Sequence, residues 1–287
     1  NELTSGDLSS SHDYDVKAST AIWFLEDTEY LTIRCNHIHH VSLAMSIFAD
    51  RMTVENNLVE FFSRGGIATA GVDNRYVGNR FFDALSTDGG RRVFFHCHMG
   101  SDPNISTGLV IENNVFMNRY GPGILPEHYD FSKCILGNNT GPKTNIRIVN
   151  NLCRTNDSYG IIWSDIHDSV IVNNTVVGGT ILPGLPDEAY EASSGWSWIL
   201  NVSIYGENHV VRNNIVSGTF GVADHNLSVD GEHVDEVFSD WAASDLSLRS
   251  GSPAVDQGNP DNAPQTDIRG LLRDAIPDIG AFELSPQ

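Results

Sequence analysis

The sequence predicts an all-β solenoid, a parallel β-helix with three short strands per coil, and three observations predict it. Seven segments share one register around an Asn, the residues flanking each Asn have strand composition, and a Gly-apolar pair recurs between the Asn positions. A fixed period of 20–50 residues marks a chain that buries its apolar face by stacking repeat on repeat.

The Asn column runs Ile33-x-x-Asn36-x-Ile38, Val54-x-x-Asn57-x-Val59, Tyr76-x-x-Asn79-x-Phe81, Ile111-x-x-Asn114-x-Phe116, Ile148-x-x-Asn151-x-Cys153, Ile171-x-x-Asn174-x-Val176 and Val211-x-x-Asn214-x-Val216. The Asn-to-Asn steps are 21, 22, 35, 37, 23 and 40 residues, a short repeat that sometimes carries 12–19 extra residues. Thr53-Val54-Glu55-Asn56-Asn57-Leu58-Val59 reads as strand, tight turn, strand, with Asn suited to the left-handed turn. Asn side chains stacked at one corner can bond each other in a ladder. An antiparallel sandwich with Asn-rich turns gives no reason for one shared register. The third strand of each coil opens at Gly66-Ile67, Gly123-Ile124, Gly160-Ile161 and Gly221-Val222, with Ala21-Ile22 and Ser46-Ile47 in the related place earlier.

The repeat spans residues 21–229, behind a lead-in or cap at 1–20 and ahead of a distinct segment at 230–287. The chain opens at Asn1 without a leader pattern and reads as a mature or trimmed product lacking its first coils. Thirty-seven acids against 17 bases give a formal charge of −20, which disfavours nucleic acid and suits a secreted protein. Apolar runs are too short to insert in a membrane. The same charge requires a local Arg cluster or a cation for any polyanionic substrate. Cys35, Cys97, Cys134 and Cys153 lack metal spacing. Cys153, in an inward column, is a buried thiol or the partner of Cys134 in a disulfide.

The C-terminal segment contains Leu248-Arg249-Ser250-Gly251-Ser252-Pro253-Ala254-Val255-Asp256-Gln257-Gly258, Asp267-Ile268-Arg269-Gly270 and Asp278-Ile279-Gly280-Ala281-Phe282-Glu283. With the Asn-turn repeats, it resembles the secreted bacterial right-handed parallel β-helix proteins of the pectate-lyase-like superfamily, and the resemblance covers most of the chain. It implies a right-handed helix of about eight coils whose tail covers the last coil, with Asp256, Asp267 and Asp278 bonding loop backbone. The superfamily includes lyases, epimerases, hydrolases, tailspikes and adhesins, so fold alone does not settle activity.

In such proteins the strand after Gly, and the loops leaving it, face the substrate. Aligning Gly123 with Gly160 places Glu127 beside Ser164 and His128 beside Asp165, roughly 5 Å apart. His96 and His98 fall one coil earlier, with Arg91 and Arg92 at that strand's start. A lyase acting on a uronic acid polymer must neutralise the carboxylate, remove the C5 proton and protonate the leaving oxygen. Arg91, Arg92, Lys133, His96, His98, His128 and Tyr129 supply those residue types. Trp163, Trp198 and Tyr205 offer flat faces for sugar, and His167 lies near. Glu127, Asp165 and Asp224 are the expected ligands should a Ca²⁺ bridge to the substrate acid. The expectation is a lyase or C5-epimerase of a uronic-acid-containing polysaccharide. Two alternatives stand beside it: a glycoside hydrolase using Glu127 and Asp165 as a carboxyl pair, and a non-catalytic glycan-binding adhesin or tailspike-like protein.

Overall fold

The computed structural model describes residues 2–4, 20–25, 27–84, 92–97, 107–119, 132–137, 143–155, 160–163, 166–178, 202–204, 206–217, 224–229 and 232–284. The Asn register dictates the architecture. Strands Thr32–Arg34, Thr53–Glu55, Arg75–Val77, Val110–Glu112, Arg147–Val149, Val170–Val172 and Val210–Arg212 precede the Asn residues and pair side by side, all parallel. In this pre-turn sheet, Ile33, Val54, Tyr76, Ile111, Ile148, Ile171 and Val211 align as one buried column. The strands that follow the Asn residues form the post-turn sheet, where Ile38, Val59, Phe81, Phe116, Cys153, Val176 and Val216 align in turn. This is a parallel β-helix. Both columns point into the coil, because side chains alternate along a strand and only the inward set meets its counterparts across the lumen.

At the corner between these sheets, each Asn Nδ2 donates to the Oδ1 of the Asn in the next coil. The chain of bonds runs Asn36–Asn57–Asn79–Asn114–Asn151–Asn174–Asn214 at 2.9–3.1 Å, and Asn226 adds an eighth rung. The second Nδ2 proton goes to a backbone carbonyl of the coil behind, as from Asn114 to Tyr76. Each Oδ1 also accepts the backbone N–H of the preceding ladder Asn. No rung is left with an idle buried donor, which is how a polar column survives inside a fold. The left-handed residue is not the ladder Asn but the one before it: Asn56, Asn113, Asn150, Asn173 and Asn213 have φ of 53–57°, and Gly78 has 67°. In each Asn-Asn pair, the first makes the bend and the second bonds the coils together.

The third face, the glycine sheet, is continuous with the post-turn sheet through the long strands His37–Phe48 and Leu58–Ala70. It holds their second halves, Thr20–Phe24, Arg92–Cys97, Ser132–Gly137, Ile161–Trp163 and Val202–Ile204. Its inward column is Ile22, Met45, Ile67, Phe95, Ile135 and Ile161. Three sequence alignments fail here. The strand beside Gly160–Trp163 starts at Ser132 rather than Gly123, with Ile135 opposite Ile161. Its neighbour is Val202–Ile204, not the run around Trp198. Ser46 lies opposite Ala68, two residues beyond Gly66. The lumen decides these registers. Cys134 and Cys153, both fully buried, are joined in a disulfide across the coil interior. A Cβ on Gly137 would come within 2.3 Å of the Trp163 ring, so only glycine fits opposite that indole. Aromatic pairs fill the middle coils, with Phe81 stacked on Phe116 at 5.3 Å and Tyr76 edge-on to Phe95 at 4.8 Å.

Residues 232–284 lie along the side of the helix rather than only over its last coil. Val115, Met117, Leu152, Val177, Ile215 and Val229, on the outer face of the post-turn sheet, pack with Val234, Val237, Phe238, Trp241, Leu246 and Leu248 in a second apolar core. The bending Asn residues fasten the segment. Asn150 donates to the Thr266 carbonyl, Asn173 to that of Asp278 and Asn213 to that of Asn259. Asp267 accepts the N–H groups of Arg269, Leu271 and Glu283, and Asp278 those of Asp256 and Leu284, the loop-bonding role expected of both.

Candidate functional site

Length variation is confined to one side of the coil. From the left-handed residues Arg51, Asp73, Gly108, Asn145, Asp168 and Asn208, two positions ahead of each pre-turn strand, to the ladder Asn is always six residues. The extra residues all lie between the post-turn strand and the next such bend, so they enter or leave the glycine sheet. Segments 85–91 and 120–131 enter the strands Arg92–Cys97 and Ser132–Gly137. Insertions on a solenoid map to its working face.

On that face, His96 is half-buried and sits between Ala68 and Leu136, followed by Ile162. Lys133 stands opposite Val93 near the start of the adjoining strand and is half-buried too. The backbone of Arg92 belongs to His96's own strand. Arg91, His98, Glu127, His128, Tyr129, Asp165, Trp198 and Tyr205 lie outside the described residues, as does the side chain of Arg92. The corrected register removes the reason for placing Glu127 beside Ser164 and His128 beside Asp165, since both precede the strand that pairs with Gly160–Trp163.

Three expected site residues are elsewhere. Trp163 is fully buried in the coil core and offers no face to a sugar; its register points it inward with Cys97 and Gly137. His167 lies past the corner, in the small sheet where Ile166–His167 pairs with Lys143–Thr144. Asp224 is held at 2.8 Å by Arg212, a pre-turn residue, and at 3.0 Å by His225. Its carboxylate already faces a cation, and among the described residues no three His, Cys, Asp or Glu side chains are grouped to hold a metal. Glu127 and Asp165, the other two expected calcium ligands, lie outside the described residues.

A second polar arrangement was not foreseen. On the outer face of the post-turn sheet, His37 meets Glu60 at 2.9 Å, Glu60 meets Arg119 at 2.7 Å, and Arg119 Nε donates to Asp83 at 2.8 Å. Burial opposes the Arg119 charge, but Asp83 and Glu60 outweigh it and hold its pKa above the ordinary guanidinium value. Arg119 also lies 4.4 Å over the Phe82 ring. The sequence signal was available, since Arg119 is the last residue before an insertion and Asp83 lies just ahead of another. Their stacking across coils depends on a left-handed Asp83, φ 56°, which no motif announces.

No protein-family profile and no curated protein matches this sequence. Among solved structures, the chain is similar to pectate lyase Pel9A, with a TM-score of 0.53 and 18% identity over 99% of this chain and 70% of that one. At that identity the likeness concerns architecture alone: the protein has a parallel β-helix fold.

Proposed function

We propose that the protein is a secreted carbohydrate-active enzyme, a lyase or C5-epimerase acting on a uronic-acid-containing polysaccharide at the outer face of the glycine sheet. The observation that carries this reading is the confinement of every insertion to the borders of that sheet, with His96 and Lys133 on two adjoining strands. The pectate lyase neighbour and the buried Cys134–Cys153 disulfide, a bond favoured in oxidising compartments, support it.

In the reaction, a base takes the C5 proton, the C4–C5 double bond forms, the C4–O bond breaks, and the leaving oxygen receives a proton. An epimerase returns the proton to the opposite face of C5 instead. His96 is suited to one of the proton steps and Lys133 to neutralising the substrate carboxylate. His128 and Tyr129, in the segment that enters the Lys133 strand, are the proposed partners for the remaining transfers.

The test is incubation with pectate, alginate, ulvan, glycosaminoglycans and neutral glycans, each with and without a chelator. Unsaturated uronate absorbance, lowered at least tenfold by His96→Ala, is the expected result. New reducing ends without that absorbance would point to hydrolysis, and binding without turnover to an adhesin. Either outcome refutes lyase action, and proton exchange at C5 without cleavage identifies an epimerase.

A further inference from the structure

A groove of about 620 Å³ opens where the C-terminal segment leaves the outer face of the post-turn sheet. That volume falls within the range of roughly 300–1,000 Å³ typical of ligand sites. Its floor is apolar, with Phe82 and Met117 in one outward column and Val115 and Leu152 in the next. Its polar lining is Arg80, Arg119, Arg269 and Ser244, and no acid lines it among the described residues. In a chain of formal charge −20, three of 17 basic residues gathered at one groove is a strong local departure.

The arginines are presented, not merely present. Arg119 and Arg269 are 40% and 42% exposed, whereas Asp83 and Asp267, which bind them, are 2% and 0% exposed, and Glu60, the second partner of Arg119, is 14% exposed. The carboxylates sit behind the guanidinium groups and orient them. Arg269 lies 5.2 Å over the Phe282 ring, as Arg119 lies over Phe82, so each fork is braced on an aromatic face. Arg80 is exposed and makes no ion pair among the described residues.

We infer that this groove is an accessory binding site for carboxylated sugar residues. The Arg80 fork can meet a carboxylate in a two-point contact. Arg119 and Arg269, whose Nε–Nη2 edges hold Asp83 and Asp267, add positive charge beside it, and the apolar floor suits the C–H face of a pyranose ring. Arg119 is the residue from which segment 120–131 departs toward the glycine sheet. A uronate polymer held on that sheet can therefore continue round the corner into the groove. The inference rests on the uronate reading of the proposed function, and it gives a strongly acidic protein a local means of gripping a polyanion.

The test places a fluorophore at the groove lip through Ala243→Cys in a Cys35→Ser background, since Cys35 is an exposed free thiol and Cys97 is buried. The probes are hexagalacturonate, its methyl ester and a neutral glucose hexamer. The acidic hexamer is expected to titrate the reporter, with both uncharged hexamers at least roughly tenfold weaker. Arg80→Ala should move the midpoint about five- to tenfold, while His96→Ala, on the other sheet, leaves it within about twofold. Arg80 is exposed and has no ion-pair partner among the described residues, so its loss leaves the fold intact.

Absence of a response to the acidic hexamer, an unchanged midpoint in Arg80→Ala, or equal binding of the ester overturns the inference. The polymer assay run in parallel separates the two claims. A responsive reporter without any turnover keeps the groove and removes the enzyme; turnover without a response does the reverse.

Discussion

Two parts of each coil obey different rules. At the Asn corner the bend and the ladder rung recur from Asn36 to Asn226, and the six-residue spacing holds from Asn57 through Asn214. Around the glycine sheet, coil length ranges from 21 to 40 residues and strand register follows whatever the lumen accepts. The difference teaches where specification resides. The corner is held by a hydrogen-bond network in which the amide groups of each rung are bonded to the coils on both sides, so it tolerates no change of length. The opposite side is held by apolar packing and a disulfide, which constrain what enters the core and leave the connecting chain free to vary.

The largest effect that would break this contrast is an inserted residue. One alanine placed between Asn113 and Asn114 should be the most costly change, because it separates the left-handed bend from its ladder Asn and throws Val115–Met117 out of register with the strands on either side. Three residues, Gly-Ser-Gly, placed after Asp102 should cost less than about 1 kcal/mol, since loop-closure entropy grows slowly with length. Urea unfolding of both variants reads the comparison, and equal losses would refute it.

Next is the ladder itself. Asn114→Ala orphans the Asn79 backbone N–H and Nδ2, both buried, and should cost about 3–5 kcal/mol. Asn36→Ala, at the partly buried first rung, should cost about 1 kcal/mol. A smaller gap between the two would mean that the rungs are not equivalent links in one chain. Cys134→Ser with Cys153→Ser, on the variable side, should lose about 2–4 kcal/mol, read as a reductant-insensitive drop in the urea midpoint.

The smallest effect concerns pH. Burial, foremost, pushes the Asp278 carboxyl up to about 6. An acid whose folded pKa is raised favours the folded chain when protonated, so its stabilisation is complete below its ordinary range and is lost as pH rises through about 6. The urea midpoint should therefore fall between pH 5 and 7.5 by more in the wild type than in Asp278→Asn, a difference on the order of 1 kcal/mol. An equal fall in both would show that the buried carboxyl does not titrate there.

The same contrast explains what the sequence revealed. The two inward columns were legible to the residue, because Ile33 through Val211 and Ile38 through Val216 are anchored to an Asn whose role is chemical and local. Asp267 and Asp278 were legible for a similar reason, as short acids between turn residues. The glycine strands were not. Gly123-Ile124 resembles Gly160-Ile161, yet Lys133-Cys134-Ile135 occupies the place, because Cys134 must reach Cys153 and Gly137 must yield to Trp163. Such requirements arise across the lumen and leave no mark within a strand. The same ambiguity turned Trp163 from an expected sugar platform into core. Of the candidate site, His96 lies on the expected sheet and Lys133, expected past the end of a strand at Gly123, lies within the strand itself, whereas Arg80 and Arg119 went unnoticed because their neighbours come from other coils.

The lateral position of residues 232–284 has a practical consequence. Asn150, Asn173 and Asn213 lie on three successive coils, and one strap of polypeptide is tied to all three. A protease nick that releases the strap would strip Val115, Leu152 and Ile215 of their cover together, leaving a greasy stripe along the barrel. The severed protein would then be expected to clump before it unravels.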